Sequence, residues 1–442
     1  MSATQSSRVR WLLLIALLFA ISWFTTDKLA LPSGDKSDEA EWTAISAVHY
    51  RQLLGTPPPG ISIDEERDKL HEDNWRQGVQ GTTFGWPNPG LNKWLWGMAS
   101  DSVVPLEIDP ALFFRYHRGN LGQANAAVVG FDRAIERNRR LVALASAGCA
   151  VLLFLIAKRV SGSTAGFIAY ALWLGHPLIR QWSHQARPDF TMAFLLFATV
   201  LATMHGAAAM RGECGPLRRW LAMLGIGLLA GLAVGTKLNG ALAGIFVAFA
   251  IPIVFIGRQA PGRWKSVLLT WAFCGSVIAL TFWACFPYLW SQPLDHLSDV
   301  LAFWKKHMAL QQNNWEAAGG IATRTMTERW DLVLERLTQN YEPVGASIGL
   351  PGGMLWLLLS ALAVGALTAD KDLGNRSEAR LLALASVVVL IGTTAWLPLD
   401  WDRYFFPSVG CLALAEGVLL GTLASMVIAR VRRASDAASD RP

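Results

Sequence analysis

Charge is scarce in this chain. Of its 442 residues only 16% are charged while 52% are hydrophobic, and the mean hydropathy is +0.32. Soluble domains carry about a quarter charged residues, so an ordinary soluble enzyme is excluded and a polytopic membrane protein is expected. Cysteine is sparse too: Cys149, Cys274, Cys285 and Cys411 sit inside apolar runs and Cys214 in a basic turn. With no CxxC spacing among them, neither a disulfide framework nor a zinc site is expected. An internal repeat is also missing. The formal charge of +6 does not point to nucleic acid, because the basic residues sit in short connections between apolar segments and report topology instead.

What is present is a ladder of apolar segments. The first, residues 11–24, follows Arg8 and Arg10 and is read as an uncleaved anchor, since no small-x-small cleavage site follows it. Residues 26–140 form a long polar loop with several tryptophans and the turn cluster TPPPG. Further apolar segments lie near 141–157, 165–179, 190–209, 220–234, 241–256, 267–286, 354–367, 381–397 and 405–428. Lys158 and Arg159, then Arg211, Arg218 and Arg219, then Arg258, Arg263 and Lys265 fall in every second connection, as does ADKDLGNRSEAR. The positive-inside rule makes these connections cytoplasmic and the others, including 287–350, extracytoplasmic. The expectation is an all-α polytopic membrane protein of about ten transmembrane helices. Residues 1–430 form a single domain, 431–442 a cytoplasmic tail, and the setting is a plasma membrane such as the bacterial inner membrane.

Within the first loop, Trp42, Ile45, Val48 and Leu53 have helical spacing, with Ser37 or Asp38 as a candidate N-cap. The stretch WPNPGLNKWLWGM is expected to be a short juxtamembrane helix, its tryptophans at headgroup level and Lys93 snorkelling.

This topology collects a set of charges outside: Asp38 with Glu39, Arg187 with Asp189, Lys237, and Arg403 with Tyr404, with His184 nearby. Three cations in short external connections run against the positive-inside rule, so anchoring alone does not account for them. A polyprenyl-phosphate sugar would use such a set. Its tail stays in the bilayer and its phosphodiester meets the guanidinium forks and the compact ammonium. The phosphate leaves with growing negative charge that fixed cations stabilise. An acceptor hydroxyl then benefits from a carboxylate base on the opposite face of the sugar, and one direct displacement inverts the anomeric carbon, by analogy with inverting glycosidases. No obligatory metal or other cofactor is expected, although Asp38, Glu39 and Asp189 could meet a divalent cation in space. The rival readings are a transporter or lipid flippase, which places charge near the midplane, and a non-catalytic membrane scaffold.

The same residues carry a family resemblance. The order of DE after the first span, NPGLNK in the first loop, ARPDF after the third, GLAVGTKLNG around the fifth, FPYLW after the seventh and DRYFFP before the last resembles the GT-C glycosyltransferases. Among them it is most similar to the protein O-mannosyltransferase and aminoarabinose-transferase branch. The likeness covers nearly the whole chain through loose motifs in a fixed order. It implies that Asp38 or Glu39 is the acidic pair that binds the acceptor and acts as base, with Asp38 first. It implies Arg403 and Lys237 at the lipid phosphate, Arg187 at the donor, and Asp189 in organising the site or capping a helix. It also implies a protein, lipid or glycan acceptor. The first-loop motif of the mannosyltransferases is HPPLGK; here Pro89, Leu91 and Lys93 are kept while Asn88 and Gly90 stand for the histidine and second proline. The resemblance therefore does not by itself specify mannose or a protein acceptor.

Overall fold

The structure, a computed structural model, describes residues 3–28, 39, 42–43, 46–47, 50, 54, 88–100, 131–256, 263–369, 376–399 and 402–439. Asp38, the TPPPG cluster and most of the first loop lie outside the described residues.

In lipid a backbone must satisfy its own polar groups, and the apolar runs accordingly form helices. In chain order these are α1 (Ala3–Lys28), α2 (Leu91–Ser100), α3 (Phe131–Ser161), α4 (Ser163–Gly175), α5 (Pro177–Trp182), α6 (Asp189–Met210), α7 (Pro216–Thr236) and α8 (Ala241–Val254). They continue with α9 (Arg263–Ala284), α10 (Pro293–Ala317), α11 (Met326–Glu335), α12 (Pro343–Ile348), α13 (Gly353–Ala369), α14 (Arg376–Trp396) and α15 (Phe406–Ser439). Among the described residues the sole β feature is an isolated antiparallel bridge, Ala322 with Leu399. Seven of the described helices are long and apolar enough to cross a membrane, or eight if the pair Met326–Ile348 and Gly353–Ala369, bent by 83°, is one broken span. Two shorter apolar helices, Ser163–Gly175 and Leu238–Val254, accompany them. The chain is an integral multi-pass helical protein, and this set is compatible with the expected count of about ten.

Small residues let the spans approach closely, as membrane packing favours. Gly227, Gly231 and Gly235 stripe one face of α7, and a Cβ at Gly231 would fall 2.5 Å from the Thr281 Cβ of α9. Gly417 and Gly421 on α15 lie against Ala169 and Ala165 of α4 in the same way. Aromatic packing fills the centre of the bundle: Phe190 of α6 stacks on Phe406 of α15 at 4.5 Å, with Trp173 edge-on to Phe190 at 6.2 Å.

Three expectations are corrected by the packing. The segment 165–179 is not one helix: it breaks at His176, whose Nδ1 accepts from the Leu178 N–H at 3.2 Å and caps α5, with Pro177 at its first position. Proline fits only where no N–H is required, so the chain restarts there. The first apolar run is longer than residues 11–24, since Val9–Lys28 is continuous helix. Lys93 does not snorkel. It is 2% exposed, and its Nζ donates to the Asn88 carbonyl at 2.6 Å, because α2 packs its polar face inward, burying Asn92, Lys93 and Trp96.

Candidate active site

The turns at the helix ends decide where the charges go. Asp189 opens α6, where a carboxylate suits the positive end of the helix dipole. Lys237 closes α7 in extended backbone, φ −158° and ψ 142°, before a single 3-10 turn (Leu238–Gly240) leads into α8. That return is tight. A Cβ at Gly240 would sit 2.0 Å from the Ala233 carbonyl oxygen, so only glycine lets the chain double back there. Arg403 and Tyr404 lie in a second 3-10 turn, Asp402–Phe405, at the start of α15. The Tyr341 hydroxyl donates to the Asp402 carboxylate and ties that turn to the segment between α11 and α12.

These turns meet at one cleft of about 620 Å³ of empty space, open solvent included. Asp189, Lys237, Arg403 and Tyr404 are among the residues that line it. The Lys237 Nζ donates to Asp189 Oδ1 at 2.6 Å, with the carboxylate 4% and the lysine 18% exposed. The Tyr404 ring lies 5.4 Å from the Lys237 nitrogen and 6.0 Å from the Arg403 guanidinium carbon, within reach of cation–π attraction. Burial pushes the Lys237 ammonium below its ordinary pKa; Asp189 pulls the other way, and the charges of Arg403 and Arg187 add to the depression. The cations are thus crowded against one another, an arrangement that an incoming anion relieves.

Arg187 does not line the cleft wall. It is 7% exposed, with its guanidinium over the Trp182 ring at 4.7 Å. His184 stands further off, its ring nitrogens 3.8 Å from Asp27 and from Glu136. Burial lowers its pKa first, the Glu136, Asp27 and Glu39 carboxylates opposing and Arg139 adding to the effect.

Glu39 is fully buried. Arg139 of α3 grips it with a two-pronged pair, Nε to Oε1 at 2.8 Å and Nη2 to Oε2 at 2.5 Å. Its Oε1 also accepts the Ala186 N–H at 2.7 Å. That places Glu39 next to the loop that carries Arg187, with both lone pairs of Oε1 and one of Oε2 engaged. Glu39 and Asp189 therefore face Arg139 and Lys237, not a shared cation. Among the described residues no three His, Cys, Asp or Glu side chains gather as a metal-holding group.

Two groups of residues escaped the sequence reading. Arg139 is one; an arginine at the mouth of an apolar segment looks like an anchor until its partner is seen. The other is a further part of the cleft lining, Trp304, His307, Met308 and Gln311 of α10 with Trp396 at the end of α14. Their only signal was the spacing of three, four and seven residues that puts side chains on one helix face.

Residues 127–290 match the family model described as Dolichyl-phosphate-mannose-protein mannosyltransferase. Among solved structures, ArnT from Cupriavidus metallidurans in the apo state aligns with a TM-score of 0.52 at 15% identity, over 94% of this chain and 60% of that one. ArnT bound to undecaprenyl phosphate gives 0.51 at 13% identity, over 98% and 64%. The Archaeoglobus fulgidus oligosaccharyltransferase in the apo form gives 0.51 at 12% identity, over 97% and 52%. The chain thus spans between 52% and 64% of the length of these proteins. No curated protein matches it. The chain therefore shares its fold with ArnT and with the Archaeoglobus fulgidus oligosaccharyltransferase, and its residues 127–290 resemble the mannosyltransferase model.

Proposed function

We propose that this protein is an integral-membrane glycosyltransferase that moves a sugar from a polyprenyl-phosphate donor to an acceptor hydroxyl on the extracytoplasmic side, in a plasma membrane of the bacterial inner-membrane kind. The carrying observation is that Asp189, Lys237 and Arg403, far apart in sequence, line one cleft at the ends of apolar helices. The neighbours support the donor class: ArnT has been seen with undecaprenyl phosphate, and the Archaeoglobus fulgidus enzyme tethered to an acceptor peptide.

In this reading Arg403 and Lys237 hold the phosphodiester, and Arg187 adds positive charge from behind. Asp189 keeps Lys237 placed. Lys93 and His184 support the surrounding loops, and Tyr404 offers its ring to both cleft cations. The acceptor hydroxyl oxygen attacks the anomeric carbon as the carbon–oxygen bond to phosphate breaks. The electron pair leaves on the phosphate, where the cations stabilise it. The hydroxyl proton passes to the Asp38 carboxylate. Polyprenyl phosphate and the glycosylated protein, lipid or glycan are the products, with inversion at the anomeric carbon. Glu39, clamped by Arg139, is held beside the loop of Arg187.

The Archaeoglobus fulgidus enzyme has also been seen in complex with Zn and sulfate, so dependence on a divalent cation is tested by transfer with and without EDTA. The roles are tested with Asp38→Asn, which should abolish transfer while retaining donor binding. Full activity in that variant would remove the assigned base.

A further inference from the structure

α10 packs Leu297, Val300, Phe303 and Trp304 against Phe286, Tyr288 and Leu289, and a glutamine further along ties it to the segment that precedes α15. The Gln312 Nε2 donates to the Thr323 carbonyl at 2.7 Å and to the Pro398 carbonyl at 3.3 Å, just upstream of the Arg403 turn. Its neighbour Gln311 is placed differently: it lines the cleft, and its buried Oε1 has no hydrogen-bond partner among the described residues. One turn earlier the His307 Nε2 is buried in the same lining and likewise has no partner among the described residues. The His307 ring is fixed by stacking on Phe303 at 5.4 Å and 10° between planes, with Trp304 edge-on at 5.5 Å.

Unsatisfied buried polar atoms are costly, and two of them on one helix face, in a cleft that also holds a cation pair, are what a hydroxylated ligand would satisfy. Burial drives the His307 pKa down to about 4, so at neutral pH its imidazole is uncharged and one nitrogen is free to accept. Trp304 and Trp396 add aromatic faces to the same cleft, apolar platforms suited to the C–H face of a pyranose.

Resting on the lipid-phosphate reading of the cleft, we propose that the α10 face of Trp304, His307, Met308 and Gln311 is the subsite that binds the transferred sugar. Gln311 and His307 hydrogen-bond its ring hydroxyls while Lys237 and Arg403 hold the phosphate across from them. The donor lies with its phosphate against the bundle and its sugar against α10, so these residues set which sugar is accepted.

The test is binding by the full-length protein in lipid nanodiscs, titrated with undecaprenyl phosphate and with its glucosyl and mannosyl phosphodiesters. Gln311→Leu removes the carbonyl at similar volume, and His307→Phe keeps the stack on Phe303 while removing the nitrogens. Each should weaken at least one sugar-bearing lipid by about three- to tenfold, the loss of one hydrogen bond, and leave bare undecaprenyl phosphate within about twofold. Retained binding of the bare lipid also shows that each variant is folded. Equal loss for bare and sugar-bearing lipids, or no loss for either sugar, would overturn the subsite while leaving the phosphate site standing. A wild-type protein that binds none of the three lipids removes the phosphate reading, and the subsite with it.

Discussion

At the scale of single residues, the buried ion pairs are the sharpest tests of the site. Removing one partner strands the other charge. Lys237→Met should therefore destabilise by about 3–5 kcal/mol, because Asp189 loses its 2.6 Å donor in a setting that is 4% exposed. Adding Asp189→Leu should recover most of that stability in thermal unfolding without restoring transfer. Arg139→Met should cost a similar ~3–5 kcal/mol, since it leaves the buried carboxylate of Glu39 with only the Ala186 N–H; a shift of the unfolding midpoint within error of wild type would contradict the clamp. Arg403→Ala should weaken undecaprenyl phosphate about ten- to hundredfold in a direct titration, the range of a charged hydrogen bond. The cations Lys237 and Arg403 were visible in the sequence because a basic residue in a short connection that the charge pattern assigns to the outside breaks the topology rule. The arrangement of the acids was not visible. Adjacent carboxylates look alike until the fold brings Arg139 and Ala186 against one of them, a contact between residues about a hundred and more positions apart.

At the scale of elements, α7 and its return turn carry the lysine into place. Gly231→Val would press a branched side chain into Thr281 of α9 and should cost about 1–3 kcal/mol by overpacking. It should also lower transfer more than binding of the bare lipid, since the displaced end of α7 is where Lys237 emerges; unchanged transfer would show that the stripe serves packing alone. Hydropathy located most of the spans because every residue of such a helix faces lipid or core. It could not locate α10, whose outward Lys305 and Lys306 alternate with the inward Trp304 and His307, so its average is that of a polar loop. Nor could it place the His176 break or the buried Lys93. Both depend on which face of a short helix meets the bundle, and composition does not record that.

At the scale of the whole molecule, the apolar helices define a slab and the cleft with its cations opens where α6, α7 and α15 begin or end. The same order of turns along the chain was legible from sequence because topology rules act on charge and hydropathy alone. The α10 wall was not, because it is brought to the cleft by packing of Val300 against Phe286 and Tyr288 and by the Gln312 bond to Pro398, none of which hydropathy records. The central claim is that this cleft performs sugar transfer from a lipid phosphate, and not passage of a solute or lipid. The most direct measurement incubates the purified protein in proteoliposomes with a panel of undecaprenyl-phosphate sugars and candidate acceptors, and follows release of undecaprenyl phosphate. Release with at least one donor, lost in Asp38→Asn and Arg403→Ala, is the predicted result. No release with any donor, together with uptake of sugar or movement of the intact lipid between leaflets, would contradict it.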